Sequence, residues 1–333
     1  MTGPAFLTGG SGYVGGALLR GLIEQGREVR SLARSAEAAA AVQANGGMPV
    51  RGDLFDDDIL VAGMRGCDTV FHVAGVNAMC LRDTGAMFRT NVDGSASVIA
   101  AASRAGVARV VYTSSAAAIG ETRGVVGTEE TPHRGTFLSA YERSKFLAEQ
   151  RVLELGADLG LGVVCVNPSS VQGPGRTEGS ARLLIELVNA RRPVVVETFL
   201  SIVDVDDCTN GHLAAETRGR PGQRYLLNGA SLTTSRAVEL VQAVAGRPRH
   251  VLRIPRALAP AAGRLADLSA QLTRRDLPFC SELARTLLHG HRYDGSLATR
   301  ELGIVYRPIE ETVARTLAWY TERGLIRSPG GVP

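Results

Sequence analysis

The first 170 residues alternate short apolar stretches with longer amphipathic ones, and this alternation limits the possible folds more than any other feature. PAFLTG (4–9), EVRSLAR (28–34) and GVVCVNPSS (162–170) have the length and composition of strands. Segments such as GYVGGALLRGLIEQG (12–26) have helical spacing between them. The pattern predicts an α/β fold with a doubly wound parallel sheet. Ligands of such sheets bind at the carboxyl ends of the strands, so the residues after each strand are the candidate site.

The composition indicates a globular chain and excludes some partners. Hydrophobic residues make up 44% and charged residues 21% of the 333 positions, and the net charge is only +4. The basic residues are scattered, without a basic run that contains aromatic residues, so no nucleic-acid partner is predicted. No apolar run reaches about 18 residues, so no membrane span is expected. The N-terminus has no basic segment before a long apolar stretch, so no signal peptide is expected either.

The cysteines and two histidines provide no sequence signal for a cross-link or a metal. The five cysteines (67, 80, 165, 208 and 280) are odd in number and widely spaced. This pattern predicts reduced thiols in a cytoplasmic protein, with neither a disulfide framework nor a zinc site. His289 and His291 form an HGH motif without other ligands close by in the sequence, so no metal site is predicted.

A glycine-rich loop follows the first predicted strand. In TGGSGYVGG, Gly9, Gly12 and Gly15 have G-x-x-G-x-x-G spacing, and Tyr13 and Val14 begin the next helix. Glycine allows a sharp turn and a close approach of the backbone to a pyrophosphate, and a helix N-terminus favours negative charge. The position of the loop between a strand and a helix therefore predicts a dinucleotide site formed by these five residues.

The ends of the next three strands complete the predicted cofactor site. Dinucleotide folds place an acid about 20 residues beyond the glycines, against the ribose 2′-hydroxyl. Here Ala33 takes that place and Arg34 follows it, and a guanidinium suits a 2′-phosphate, so NADP is favoured over NAD. Asp53 and the backbone of Leu54 are placed at the adenine. Ala74 is small enough to let the chain pass close to a ribose.

A tyrosine and a lysine four residues apart are the candidate catalytic pair. Tyr141 and Lys145 in YERSK share one helical face, and TSS, which ends with Ser115, closes the fifth predicted strand. A nearby ammonium lowers the pKa of a phenol, which can then exchange a proton with a carbonyl oxygen. A serine hydroxyl can hold the same oxygen. His72, within an apolar strand, is expected to be a core histidine.

Jointly, these motifs resemble the extended short-chain dehydrogenase/reductase family. The chain is similar to it in the glycine loop, in NVDGS (91–95), in TSS with YERSK, in VNPSSVQGPGR (166–176) and in IVDVDDCTNGH (202–212). The last motif and the tail from 293 to 326 resemble the dihydroflavonol 4-reductase-like and 3β-hydroxysteroid dehydrogenase-like branch. The resemblance implies a Rossmann-type sheet with a smaller, mostly helical C-terminal substrate subdomain.

The resemblance also implies roles for individual residues. Ser115 aligns with the catalytic serine, Tyr141 with the acid/base, and Lys145 with the cation that binds the ribose and tunes Tyr141. Pro168 and Val171 align with the residues beside the nicotinamide carboxamide. Asn91, in a family motif, is implied to hold the site through backbone and water contacts. Residue 167 departs from the pattern, because it is Asn where many members have Arg.

The expected activity is an NADP-dependent reduction of a ketone or aldehyde to an alcohol, on a small, cyclic or apolar carbonyl substrate. The alternatives are an NAD(P)-dependent sugar-nucleotide epimerase and a hydroxysteroid-type dehydrogenase/isomerase. A dehydratase would carry an acidic pair after the strand-five hydroxyl, where Ala116 and Ala117 stand. A non-catalytic dinucleotide-binding protein would lack Tyr141 or Lys145, and both are present.

The predicted domains divide the chain near residue 167. The dinucleotide-binding domain covers 1–167, with a contribution from 199–229, and the substrate subdomain covers 168–198 and 230–330. An amphipathic stretch in the latter, IPRALAPAAGRLADLSAQL (254–272), has Leu258, Leu265 and Leu272 on one side. This side is expected to pack on its own domain, with a substrate cover, a dimer contact or a membrane contact as the alternatives. A homodimer is one possible assembly.

Overall fold

The computed structural model describes residues 3–246, 248–273 and 279–326. The end of the predicted substrate subdomain, 327–330, lies outside the described residues. The strands are β1 (Ala5–Thr8), β2 (Val29–Ala33), β3 (Met48–Arg51), β4 (Thr69–His72), β5 (Arg109–Thr113), β6 (Gly162–Pro168), β7 (Ser170–Gln172), β8 (Val194–Val196), β9 (Phe199–Asp204), β10 (Arg224–Leu227), β11 (Ala230–Thr233) and β12 (Leu252–Ile254).

The helices alternate with the strands as the sequence predicts. They are α1 (Tyr13–Glu24), α2 (Ala36–Ala44), α3 (Asp57–Met64), α4 (Gly85–Phe88), α5 (Gly94–Arg104), α6 (Ala140–Asp158), α7 (Ser180–Asn189), α8 (Val205–Arg218), α9 (Thr234–Ala245), α10 (Ala259–Thr273), α11 (Ser281–His289) and α12 (Ile309–Glu322). Short 3₁₀ turns span Ala116–Ile119 and Arg256–Leu258, and π-helical turns span Arg89–Asp93 and Ala298–Leu302.

The central sheet confirms the predicted fold class. Its seven strands have the order β10-β6-β5-β4-β1-β2-β3, and every pair is parallel. The strand order reverses between β1 and β4, which is the switch point where such sheets bind ligands. The register sets Thr8 opposite His72 and His72 opposite Tyr112, so the carboxyl ends of β1, β4 and β5 lie side by side.

Apolar residues cover both faces of the sheet, which explains the nearly continuous apolar strands. One buried cluster includes Leu7 and Phe71 with Leu18 of α1, and the other includes Phe6 and Val110 with residues of α3, α5 and α6. Parallel strands that are buried on both faces lose the polar/apolar alternation of half-exposed strands. The helices therefore hold the sheet from both sides and leave its carboxyl edge to the loops.

The later part of the chain adds two small sheets and a third apolar cluster. β9 pairs with β7 and β11, and β12 pairs with β8, whereas β10 joins the central sheet. Apolar residues of α7, α9 and α12 form a separate cluster that includes Ala181, Val241 and Leu317. The division of the chain into a dinucleotide-binding domain and a substrate subdomain near residue 167 stays a prediction.

The amphipathic segment around α10 does not bury its leucines. The relative exposure is 56% for Leu258, 65% for Leu265 and 85% for Leu272. The expectation that this side packs on its own domain is therefore wrong. The periodicity predicted the helix, but it could not say whether another element reaches the apolar side. No helix within the described ranges is both long and apolar enough to cross a bilayer.

The expectation that all cysteines are reduced thiols is also wrong. Cys80, in the segment after β4, forms a disulfide with Cys280, which directly precedes α11. The two residues are 200 positions apart, so no sequence spacing indicated the pair. Cys67, Cys165 and Cys208 are free and buried. A disulfide removes the argument from which a cytoplasmic location was predicted, because such bonds are rare in that compartment.

Candidate active site

The glycine loop packs directly against the start of α1. The Gly12 N–H donates to the Gly9 carbonyl at 2.9 Å, and a Cβ placed on Gly15 would lie 2.1 Å from the same oxygen. Gly9 has a φ of +80°, and a Cβ there would lie 2.7 Å from Ala74 N. These contacts leave no room for side chains at Gly9 and Gly15. They also bring the loop against Ala74.

The loop and the first turn of α1 fit the phosphates of a dinucleotide. Gly12 precedes α1 and supplies no side-chain cap, and the first turn has no acidic residue. The N–H groups of Tyr13, Val14 and Gly15 therefore start the helix without a carboxylate partner from their own turn. Such an N-terminus attracts anions because unpaired N–H groups and the helix dipole act together.

Arg34 and Asp53 differ in how available their side chains are. Arg34 is exposed directly after β2, and within the described ranges it makes no ion pair, so its guanidinium fits a phosphate. Asp53 instead accepts a hydrogen bond from Phe55 N at 3.3 Å within its own turn. The side chain of Leu54 is buried in the core beneath α5, which leaves only its backbone for the adenine.

Tyr141 and Ser115 lie together at the carboxyl end of β5. Tyr141 is in the first turn of α6, which Ser139 caps by accepting from Glu142 N at 3.0 Å. Ser115 caps the 3₁₀ turn that follows β5. Burial raises the pKa of the Tyr141 phenol, and a hydrogen bond from Ser115 and the charge of Arg176 only partly oppose this effect. The predicted lowering of this pKa is therefore wrong for the protein without ligands.

Lys145 lies one helical turn after Tyr141 and is held by the carboxyl end of β5. Its Nζ donates to the Thr113 carbonyl at 2.7 Å and to the Tyr112 hydroxyl at 3.4 Å. A Cβ placed on Gly75, just beyond β4, would lie 3.8 Å from Nζ. Burial lowers the pKa of Lys145 to about 8, although the carboxylate of Glu149 acts in the opposite direction. The ammonium thus lies at the carboxyl ends of β5 and β4.

Asn91 links the segment after β4 to the catalytic helix. It lies in the π-helical turn and is 1% exposed. Its amide donates to the Val76 carbonyl at 3.0 Å and to Ser144 Oγ at 2.9 Å, and its carbonyl accepts from Val76 N at 2.7 Å. Ser144 lies between Tyr141 and Lys145, so Asn91 contacts the helix through a side-chain hydrogen bond and the segment after β4 through two backbone ones.

Asn167 replaces the expected arginine with a neutral donor. Its side-chain N–H groups donate to the Ser115 carbonyl at 3.1 Å and to Glu149 at 2.5 Å. The side chains of Asn167 and Glu149 are fully buried. Glu149 also pairs with Arg224 at 3.1 Å. An arginine at 167 would add a second buried cation to this group. The Asn–Glu–Arg arrangement therefore compensates for the departure from the family pattern.

Arg176 is a site residue that the sequence reasoning did not single out. Pro168 ends β6 and Val171 lies buried in β7, next to the segment that turns back at Arg176. The guanidinium of Arg176 donates to the Val171 carbonyl and lies 5.7 Å from the centre of the Tyr13 ring. Its charge also acts on Tyr141. The sequence signal for Arg176 was its position at the end of VNPSSVQGPGR. This segment resembles a family motif, but the sequence analysis gave the arginine no role.

Two histidine predictions have opposite outcomes. His72 is fully buried and contacts Thr8 Oγ1 at 2.7 Å and Ser95 Oγ at 2.9 Å, so it is the expected core histidine. The argument that HGH has no further ligand nearby is wrong, because Glu121 Oε1 lies 2.6 Å from His291 Nδ1. Glu121 is 170 residues upstream, so only the fold brings it there.

Comparison with known proteins gives a family and several relatives. The model of the NAD dependent epimerase/dehydratase family matches residues 5–227. A putative dihydroflavonol 4-reductase of Synechocystis sp. is 31% identical over 334 residues, which cover 97% of this chain and 96% of that protein. A 4-hydroxy-2-methyl-3-oxo-4-farnesyl-3,4-dihydroquinoline-1-oxide ketoreductase of Stigmatella aurantiaca is 35% identical over 268 residues, 79% of each chain.

A solved structure agrees with these sequence relatives. The crystal structure of gox2253 has a TM-score of 0.85 and 29% identity, and the match covers 97% of this chain and 99% of that one. The family model covers more than half of the chain, and the glycine loop and the Ser-Tyr-Lys set lie within the matched residues. The chain therefore belongs to the NAD dependent epimerase/dehydratase family, that is, to the extended short-chain dehydrogenases/reductases, and it is an NAD(P)-dependent oxidoreductase.

Proposed function

We propose that the protein is an NADP-dependent carbonyl reductase that converts a small, cyclic or apolar ketone or aldehyde to the alcohol. The observation that carries this proposal is the position of Tyr141 in the first turn of α6, with Ser115 at the start of the 3₁₀ turn that follows β5 and Lys145 hydrogen-bonded to the end of that strand. Reductases named among the relatives, including the dihydroflavonol 4-reductase and the quinoline-oxide ketoreductase, support the direction.

The chain's own residues have distinct tasks in this reaction. A bound nicotinamide supplies the hydride that reduces the carbonyl carbon. Ser115 donates a hydrogen bond to the carbonyl oxygen and orients it toward Tyr141. The raised pKa of Tyr141 keeps its phenol protonated at neutral pH, as a proton donor to the new alkoxide requires. Lys145 holds the ribose and places a positive charge at the strand ends.

The preference for NADP is part of the proposal and rests on Arg34. Its exposed guanidinium directly follows β2 and has no ion-pair partner within the described ranges. A 2′-phosphate would give this side chain a bidentate partner, whereas NAD offers only a hydroxyl there. The alternatives of a sugar-nucleotide epimerase and a hydroxysteroid-type dehydrogenase/isomerase become separate arms of the assay. A homodimer is also part of the proposal, and light scattering on the purified protein tests it.

The first experiment follows NADPH oxidation with a panel of cyclic ketones, aldehydes and 3-oxosteroids. Epimerisation of UDP-glucose consumes no NADPH overall, so product analysis follows that alternative instead. We expect Tyr141→Phe to lower kcat by about 10²–10⁴-fold, the usual contribution of a general acid, while NADPH still binds. Tyr225→Phe is the matched control, because the Tyr225 hydroxyl accepts from Arg220 N and donates to Glu301, and neither partner belongs to the proposed site. Unchanged turnover in Tyr141→Phe would refute the acid role.

The second experiment measures both cofactors by calorimetry. Arg34→Ala should weaken NADPH binding by about 10–100-fold and leave NADH nearly unchanged, because a charge-assisted hydrogen bond to phosphate contributes about 1.5–3 kcal/mol. Arg104→Ala is the control, since Arg104 pairs with Asp57 on the surface of α5. Equal losses for NADPH and NADH would rule out Arg34 as the reader of the 2′-phosphate.

A further inference from the structure

A second cluster of chemically active side chains contains none of the proposed catalytic or cofactor-binding residues. Glu121 follows the 3₁₀ turn after β5, and His289 and His291 lie at the end of α11 and just beyond it. Glu121 Oε1 is 2.6 Å from His291 Nδ1 and 3.5 Å from His289 Nε2. One ligand atom from each side chain lies within 4.8 Å of the other two. The spacing therefore places three metal-type donors around one point.

The backbone holds these donors in place. Gly290 has a φ of +74°, and a Cβ there would lie 2.7 Å from Thr198 Oγ1, so this turn requires glycine. The turn sets the rings of His289 and His291 4.8 Å apart. An isolated β-bridge between Gly127 and Tyr293 fixes the segment that follows the turn. Gly127 N donates to the Arg292 carbonyl at 2.8 Å, and Asp294 N donates to the Gly127 carbonyl at 2.9 Å.

Two atoms of the cluster are buried without a hydrogen-bond partner. They are Glu121 Oε2 and His289 Nε2. The Glu121 side chain is 1% exposed and that of His289 is 6% exposed. A buried polar atom without a hydrogen-bond partner lowers the stability of the fold by about 1–3 kcal/mol, so two such atoms in one cluster are rare. A ligand that accepts electron pairs from both atoms would remove that cost.

The charges around the cluster suit a cation. Glu121 is the only acidic residue among the three donors. A buried carboxylate is unfavourable without a positively charged partner. Arg134 donates to the Glu121 backbone carbonyl at 3.1 Å, but its guanidinium also forms an ion pair with Glu142. The Arg134–Glu142 pair is neutral as a whole. The carboxylate of Glu121 instead faces the two imidazoles, and His291 Nδ1 also lies 3.0 Å from the Tyr293 hydroxyl.

We propose that Glu121, His289 and His291 bind one Zn²⁺-class transition-metal ion. Two imidazole nitrogens and one carboxylate are donors that such ions take, whereas Mg²⁺ and Ca²⁺ prefer oxygen ligands throughout. Three protein ligands leave the fourth tetrahedral position to water. Metal ligands bind in their deprotonated forms, so binding releases protons and weakens as the pH falls.

The metal joins two parts of the chain that are distant in sequence. Glu121 comes six residues after Ser115, and the histidines belong to the C-terminal part. A ligand that binds only the folded state stabilises it by mass action. With free metal about 100-fold above Kd, the midpoint of thermal unfolding should rise by about 5 °C. This readout does not depend on the proposed reductase activity.

The test uses tag-free, chelator-stripped full-length protein and Zn²⁺ alone, with Co²⁺ as the spectroscopic probe. We expect one equivalent of Zn²⁺ by equilibrium dialysis and elemental analysis, a visible Co²⁺ band, and no comparable binding of Mg²⁺. Glu121→Gln and His291→Asn should each weaken binding at least 100-fold. The control His250→Asn, which replaces an exposed histidine, should keep it.

Each outcome decides the proposal. Less than about 0.2 equivalents in the wild type, or equal binding by the wild type and His291→Asn, would overturn it, because the cluster would then be a hydrogen-bonded Glu–His group alone. Circular dichroism identifies a variant that fails to fold. In that case the wild type decides: stoichiometric binding with proton release and a higher unfolding midpoint supports the site, and binding without either effect refutes it.

Discussion

The buried ammonium of Lys145 makes the stability of the ligand-free protein depend on pH in a calculable way. The side chain is 6% exposed, and burial lowers its pKa from 10.5 to about 8. Between these values the unfolded chain holds a proton that the folded chain has lost. Stability therefore rises with pH through this window, by about 3 kcal/mol when the window is crossed completely. Between pH 7 and pH 9.5 the gain is about 2 kcal/mol.

The perturbation is Lys145→Met, which keeps the length of the side chain and removes the titrating group. Urea unfolding at both pH values, followed by circular dichroism without cofactor, gives the free energy of unfolding for each protein. The wild type should gain about 2 kcal/mol relative to the variant between pH 7 and pH 9.5. Buried Tyr112 and Cys165 have raised pKa values and lower the stability at alkaline pH in both proteins. Their effects cancel only in part, because the charge of Lys145 lowers the pKa of Cys165 and the variant lacks this charge.

A difference in unfolding free energy that is the same at pH 7 and pH 9.5 would contradict the reasoning. It would mean that Lys145 stays protonated in the folded chain through this range. The contacts with Thr113 and Tyr112 would then stabilise the ammonium more than burial destabilises it. Saturating cofactor provides a second comparison, because a ribose bound to the ammonium should raise its pKa and shrink the gain.

Two further perturbations test the glycine loop and the disulfide. Gly15→Ala places a methyl group 2.1 Å from the Gly9 carbonyl oxygen, so calorimetry should show at least a 100-fold loss in NADPH affinity. The methyl group of Gly12→Ala would lie 3.3 Å from the same oxygen, so this variant should lose less affinity. A larger loss for Gly12→Ala than for Gly15→Ala would refute the packing argument. Cys80→Ser opens a loop of about 200 residues and should lower the free energy of unfolding by up to about 5 kcal/mol. Thiol titration of the denatured, non-reduced wild type should find three thiols, and five would exclude the disulfide.

The sheet and the shared helical face of Tyr141 and Lys145 could be predicted because both depend on short-range rules. Strand–helix alternation determines a parallel sheet, and the ends of parallel strands meet at one edge. Tyr141 and Lys145 share a helical face whatever the rest of the chain does. The glycine spacing likewise places Gly9 and Gly15 in contact within one turn. Each of these inferences needed only neighbouring residues and one general rule of topology.

The remaining features depend on contacts between distant segments or on burial. Cys80 with Cys280, and Glu121 with the two histidines, meet only because the C-terminal part folds against the loops after β4 and β5. No periodic pattern encodes such a meeting. The direction of the Tyr141 pKa shift was mispredicted because desolvation acts more strongly on it than any nearby cation. Sequence alone cannot give the extent of burial.

Glu282, the second residue of α11, connects the C-terminal part of the chain to the residue that precedes Tyr141. Its carboxylate accepts from Cys80 N at 2.9 Å and from Ala140 N, the residue before Tyr141. It thus lies at the N-terminus of α6, where a negative charge favours the helix. A chain shortened to the matched region 5–227 would retain the glycine loop, Ser115, Tyr141 and Lys145 and still lose this anchor. Suppose that the C-terminal segment is replaced by that of a relative in order to change substrate choice. We expect this replacement to disturb proton transfer by Tyr141 as well, unless the new segment has an acid at the position of Glu282.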